Sequence, residues 1–137
     1  MDQYTVRDWM TANPVTISPN TSLADAHRLM KQKRVRRLPV VENGRLVGIV
    51  ALSDILEAEP SGATTLSIYE INYLLAELKI EKIMKRNVIT VTPDTPIREA
   101  AELMLTHKIG GLPVIQDGKL VGIITESDIF RMIVRTM

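Results

Sequence analysis

Residues 38–54 read Leu-Pro-Val-Val-Glu-Asn-Gly-Arg-Leu-Val-Gly-Ile-Val-Ala-Leu-Ser-Asp, and residues 112–128 read Leu-Pro-Val-Ile-Gln-Asp-Gly-Lys-Leu-Val-Gly-Ile-Ile-Thr-Glu-Ser-Asp. The second stretch follows the first at an offset of 74 residues. In each, two apolar, β-branched runs flank Asn43-Gly44 or Asp117-Gly118. Asn-Gly and Asp-Gly are the strongest two-residue hairpin signals, because a type I′ turn needs positive φ at both central positions. Outward from the hairpins the match continues without a gap over Val6–Leu56 and Ile80–Phe130. Met10 falls on Met84, Pro19 on Pro93, Ala26 on Ala100, and Leu29-Met30 on Leu103-Met104. A unit repeated this closely predicts pseudo-two-fold symmetry, with clefts between the copies arising in pairs. Positions where the copies differ then become the informative ones.

Within one copy, Val15–Ser18 alternates apolar and polar residues and stops at Pro19, which predicts a short strand. Thr21 or Ser22 can cap a helix carrying Leu23, Ala26, Leu29, Met30 and Lys33 at helical spacing. The hairpin strands follow at 38–42 and 45–51, then a second helix from Ser53; its counterpart runs from about Glu126 to the end. The expected fold is α/β (α+β), as two tandem β-α-β-β-α repeats. The first strand is expected parallel to the second through a right-handed crossover. Runs such as 46–50, apolar on both faces, need cover on both sides. The repeat's own helices can supply one cover and the other copy's sheet the second, so the sheets are expected to pack face to face around one shared core.

The domain reading is 1–60 for the first repeat, 61–79 for a linker with a helix, and 80–137 for the second repeat. Glu59-Pro60-Ser61-Gly62 is a breaker cluster. Ser67 then has capping-box spacing to Glu70, with Ile68, Ile71, Leu75 and Leu78 on one face. That helix is expected to pack on its own module or to serve as a dimerisation surface.

Bulk properties narrow the function classes. A chain of 137 residues fits one domain and can bury about 70% of its unfolded surface. With no cysteine, disulfides, thiol nucleophiles and zinc ribbons are excluded. A formal net charge of +1 disfavours a nucleic-acid binder. No apolar run approaches a membrane span and the first residues do not resemble a signal peptide, so a cytoplasmic location without membrane association is expected. His27 and His107 occupy non-equivalent positions, and no metal site is expected.

Leu-Pro-Val, a Gly-turned hairpin and Val-Gly-Ile-Ile-Thr-Glu-Ser-Asp resemble the cystathionine-β-synthase (CBS) domain, and the tandem copies resemble the CBS pair called a Bateman module. The resemblance covers about residues 6–56 and 80–134, which suggests a stand-alone CBS-pair protein. It implies a regulatory module that binds AMP, ADP, ATP or S-adenosylmethionine between the repeats, forms a homodimer, and signals to an unidentified downstream protein. The family's ligand pattern is Gly-h-x-Thr/Ser-x-x-Asp, where h is apolar. Gly122-Ile-Ile-Thr125-Glu-Ser-Asp128 fulfils it, whereas Gly48-Ile-Val-Ala51-Leu-Ser-Asp54 lacks the hydroxyl. A carboxylate accepts from both ribose hydroxyls at once, and a hydroxyl at a helix N-terminus joins backbone N–H groups in binding phosphate. Thr-x-x-Asp is equally capping-box spacing, and the two roles are compatible.

A second asymmetry precedes the Leu-Pro-Val strand: Arg36-Arg37 in the first copy, Gly110-Gly111 in the second. The resemblance implies that basic residues here reach toward phosphates held by the other copy, while a Gly pair admits the base close to backbone. The expected ligand set is therefore Thr125, Asp128, Arg36, Arg37, Thr90, Thr92, Gly111, Leu112 and Pro113. Asp54 and Ser53 would form a weaker second site. The run Lys31, Lys33, Arg34 reads equally as a solvated helix C-terminus complementing the dipole. No nucleophile–base pair or catalytic carboxylate pair has supporting spacing, so catalysis and a cofactor are not expected. The alternatives are S-adenosylmethionine binding, a pure interaction or dimerisation module and, behind these, nucleic-acid binding.

Overall fold

In the computed structural model, residues 3–59 and 67–137 are described. Their helices are α1 (Val6–Trp9), α2 (Leu23–Lys33), α3 (Leu52–Ala58), α4 (Ile68–Glu77), α5 (Ile97–His107) and α6 (Glu126–Thr136). Their strands are β1 (Thr11–Ala12), β2 (Arg37–Glu42), β3 (Arg45–Ala51), β4 (Gly111–Gln116) and β5 (Lys119–Thr125). Pro60-Ser61-Gly62 of the breaker cluster lies outside the described residues.

The hairpins form as their turns dictate. Asn43 and Gly44 have φ of 53° and 79°, and Asp117 and Gly118 have 52° and 78°, the left-handed pair of a type I′ turn. Both hairpins carry a register shift at the same place, between Val40 and Val41 and between Val114 and Ile115.

The expected first strand shrinks to a single residue per repeat. Ile17 bridges Val40 and Val91 bridges Val114, both parallel. Ile17 donates to the Pro39 carbonyl and accepts from Val41, as the expected crossover requires. Pro19, without an N–H, prevents the ladder from continuing.

The repeat boundaries of the sequence are not the boundaries of the compact units. One unit joins the segment up to Pro14 with Val88–Met137; the other is Val15–Asn87. The segment that leads into each repeat therefore packs on the other one. In the discontinuous unit, the Val6 amide donates to the Thr95 carbonyl at 2.8 Å and Arg7 to Pro93 at 2.9 Å. In the continuous unit the equivalent bonds run from Ile80 to Thr21 at 2.8 Å and from Glu81 to Pro19 at 3.0 Å. The sheets follow suit. β1 pairs antiparallel with β5, giving the order β1-β5-β4, and Lys85 bridges Ile49 of β3, the partner of β2. Each segment satisfies a strand edge that would otherwise expose unpaired backbone.

Gly48 and Gly122 mark where the segments cross. A Cβ on Gly122 would stand 2.7 Å from the Met10 Sδ and 3.0 Å from the Thr11 carbonyl oxygen; on Gly48 it would meet Met84 Sδ and the Lys85 carbonyl at the same distances. The glycine of the Gly-h-x-Thr pattern thus serves the fold by admitting this crossing.

A cluster of buried side chains lies in each unit. Leu23, Leu38, Val50, Ile55 and Ile80 are fully buried in one, and Val6, Leu112, Val114, Ile124 and Met132 in the other. Ser22 caps α2 by accepting from the Asp25 amide at 3.1 Å. His27 Nδ1 meets Glu59 Oε1 at 2.7 Å and ties α2 to the end of α3.

Ser67 caps α4 as read, accepting from the Glu70 amide at 3.2 Å. The face departs from expectation: Ile71 and Leu78 are half-buried, but Ile68 is exposed with Tyr69, Tyr73 and Leu74. The side chain of Leu75 lies outside the described set.

Candidate ligand site

The site develops where β5 gives way to α6. Thr125 is extended, with φ −124° and ψ 170°, and holds the N-cap position. Asp128, in the first turn, folds back on it. Its Oδ2 accepts from the Thr125 amide at 2.9 Å and from the Thr125 hydroxyl at 3.2 Å. Its Oδ1 accepts from the Arg131 guanidinium at 2.7 Å, and the Thr11 hydroxyl on β1 is 3.5 Å away. The capping reading of Thr-x-x-Asp therefore holds. The side chain is only 3% exposed, so the carboxylate is buried with its charge answered by a cation and hydrogen-bond donors.

Register places the neighbours. Gly111 lies opposite Thr125, Pro113 opposite Ile123, and Thr11 also opposite Ile123. Cross-strand partners share a face and alternate residues repeat it, so these residues lie on one side of the sheet. Gly111, itself buried, contributes no side chain opposite Thr125. Leu112 points the other way: it is fully buried in the core with Ile124, and only its backbone is available to a ligand. Thr90 and Thr92 flank the bridge residue Val91 and are exposed, beside Pro113, whose carbonyl accepts from Val91. The Thr92 hydroxyl is engaged locally with the Thr95 hydroxyl at 3.2 Å.

The equivalent place in the other unit is built differently. Asp54 Oδ2 accepts from the Ala51 amide at 2.9 Å, and Lys85 Nζ lies 3.8 Å from Oδ1. With no hydroxyl at 51, and with Lys85 where the first site has Thr11, the Asp54 side chain is 16% exposed. The residue equivalent to Arg131 is Glu57, which cannot donate. Arg37 opens β2 opposite Ala51 and shares its face, at the position equivalent to Gly111 of the other unit. Arg36 and Ser53 are exposed. The structure thus brings together Thr125, Asp128, Gly111 and Pro113 within one unit, and places Arg36, Arg37, Asp54 and Ser53 in the other.

The sequence reading missed Thr11 and Arg131. Both positions differ between the copies, as Lys85 and Glu57, Arg131 and Glu57 falling just past the matching stretch, and that difference was the available signal. Elsewhere, an open depression of about 660 Å³ beside α2 is lined by Thr16, Ser18, Thr21, Asp25 and Arg28. Four of its polar groups pair among themselves, Arg28 with Asp25 at 2.7 Å and Ser18 with Thr21 at 3.3 Å.

Comparison with known proteins identifies the family and the fold. The family model for the CBS domain matches residues 6–61 and again 80–135. The uncharacterized protein MJ1225 of Methanocaldococcus jannaschii is 36% identical over 132 residues, which cover 92% of this chain and 46% of that protein. The chain therefore spans about half the length of that relative. Among solved structures, the CBS domain pair of protein MJ0100, in complex with 5′-methylthioadenosine and S-adenosyl-L-methionine, superposes with a TM-score of 0.81 at 32% identity over 98% of both chains. CBSX2 in complex with AMP does so with a TM-score of 0.79, also at 32% identity, over 96% of this chain and 97% of that one.

Proposed function

We infer that this chain, which belongs to the CBS domain family, is a regulatory module that binds an adenosine-containing ligand and performs no chemistry on it. The observation that carries the reading is the Asp128 carboxylate. It is held beside the Thr125 hydroxyl, and Gly111 adds no side chain at the cross-strand position. A fixed carboxylate with a hydroxyl and a helix N-terminus next to it suits a ribose diol bearing a phosphate. The chemistry common to the ligands of MJ0100 and CBSX2 is the adenosine group. AMP, ADP or ATP is the leading assignment. S-adenosylmethionine is the second reading, favoured by the MJ0100 complex.

Asp54 differs from Asp128 in lacking the hydroxyl partner, so one ligand per chain is expected. Calorimetric titration with AMP, ATP and S-adenosylmethionine in turn should return saturable binding at a stoichiometry near one for at least one of them. No heat or protection from any of the three would overturn the reading. A stoichiometry of two with equal affinities would overturn the asymmetry alone.

The same reading extends to assembly. Tyr69 is 84% exposed on α4 and Phe130 is 61% exposed on α6, with Ile68, Tyr73, Val134 and Met137 also exposed. Apolar side chains presented this way fit an interface between copies of the chain. A homodimer is expected by light scattering at micromolar concentration, and a clean 15.3 kDa species would exclude it. No described helix is long and apolar enough to cross a membrane. A cytoplasmic sensor acting on a downstream protein completes the proposal.

A further inference from the structure

The repeat with the complete ligand pattern is the one whose aspartate is already satisfied. A carboxylate offers about four acceptor positions. On Asp128, Oδ2 takes both Thr125 donors, while Oδ1 takes Arg131 at 2.7 Å and faces the Thr11 hydroxyl at 3.5 Å. A ribose diol needs two acceptor positions, so two of these four donors must give way. The Thr125 amide and hydroxyl belong to the helix cap. Thr11 is near the limit of a hydrogen bond and contributes little. Arg131 is the donor placed to leave: its side chain is 44% exposed, and water can take over its N–H groups. In the other repeat, Glu57 stands at this position, and the Asp54 Oδ1 instead faces the Lys85 ammonium at the longer distance of 3.8 Å.

We propose that Arg131 is an internal competitor for the Asp128 carboxylate, vacating Oδ1 when a ribose diol binds and thereby setting affinity and diol selectivity. The proposal rests on the reading that Asp128 receives ribose. Unlike a residue that contacts the ligand, Arg131 would oppose binding, and its removal would strengthen it.

The test compares AMP with 2′,3′-dideoxy-AMP on the full chain, using Arg131→Met, which keeps the apolar stem and removes every donor. Losing the cation alters attraction to phosphate equally for both ligands, so the readout is the ratio of their dissociation constants. Arg131→Met is expected to raise the preference for AMP over the dideoxy compound by about three- to tenfold, since the diol no longer displaces an ion pair. Arg131→Gln, which retains a neutral donor, should lie between parent and Arg131→Met. It also serves if Arg131→Met proves poorly folded. A parent that binds AMP with a ratio unchanged or reduced in both variants overturns the competition. Such a result makes Arg131 a structural or ligand-contacting residue while leaving the nucleotide reading intact. AMP binding that emerges only in the variants supports it. Failure of parent and variants alike to bind AMP overturns the nucleotide reading and the competition with it.

Discussion

Asp128→Ala should bind adenosine-containing ligands about 10- to 100-fold more weakly than the parent, as expected for loss of a charge-assisted hydrogen bond. Asp54→Ala should bind them nearly as well as the parent. Equivalent positions suggest equal structural costs, because both aspartates cap a helix. The bonding says otherwise. Asp128 serves the Thr125 amide, the Thr125 hydroxyl and Arg131, whereas Asp54 serves the Ala51 amide with Lys85 at 3.8 Å. Asp128→Ala should therefore lower stability by about 1.5–3 kcal/mol, in the range for a buried charged acceptor with several donors. Asp54→Ala should cost about 1 kcal/mol, the usual value of a helix cap. Thermal and denaturant melts of the two variants, alongside titrations with AMP, separate the roles. Equal affinity for AMP in both variants and the parent would leave Asp128 a cap and nothing more.

The second large effect concerns the crossing glycines. Gly122→Ala places a methyl group 2.7 Å from the Met10 sulfur and 3.0 Å from the Thr11 carbonyl oxygen, and Gly48→Ala does the same against Met84 and Lys85. Overpacking of this kind costs about 1–3 kcal/mol. The methionine is flexible and can withdraw, while the carbonyl is fixed by the pairing of β1 with β5. The double variant Met10→Ala, Gly122→Ala should therefore regain only part of the loss. Denaturant midpoints of the single and double variants decide this. Full recovery would place the whole conflict in the methionine side chain.

Much of this architecture was legible because it is local. Asn43-Gly44 and Asp117-Gly118 dictate their turns from backbone sterics alone, and the Ser22 and Ser67 caps follow from side-chain reach. The first strand was over-read because alternation over Val15–Ser18 says nothing about how many residues find a partner, and only Ile17 does. The crossing of the leading segments was hidden for a different reason. Val6 and Ile80 are equivalent in the repeat, so the sequence fits either assignment, and only the bonds to Thr95 and Thr21 distinguish them. At the site, Thr125 and Asp128 were visible in the pattern. The partners that complete Asp128 were not, since Thr11 comes from a distant segment and Arg131 acts through its rotamer.

The exchanged segments also decide where this chain can be cut. Val15–Asn87 is a continuous piece that carries its own strap, but the unit holding Asp128 is stitched from the two ends of the polypeptide. Trimming the first dozen residues leaves the neighbouring repeat whole and strips an edge strand from the distant one. A fragment beginning at residue 80 takes with it a strap that fits the repeat left behind. Two copies of a single isolated repeat could each complete the other by reciprocal exchange, so the chain has the connectivity of a swapped dimer fused into one polypeptide. The fusion makes its beginning a structural part of its end.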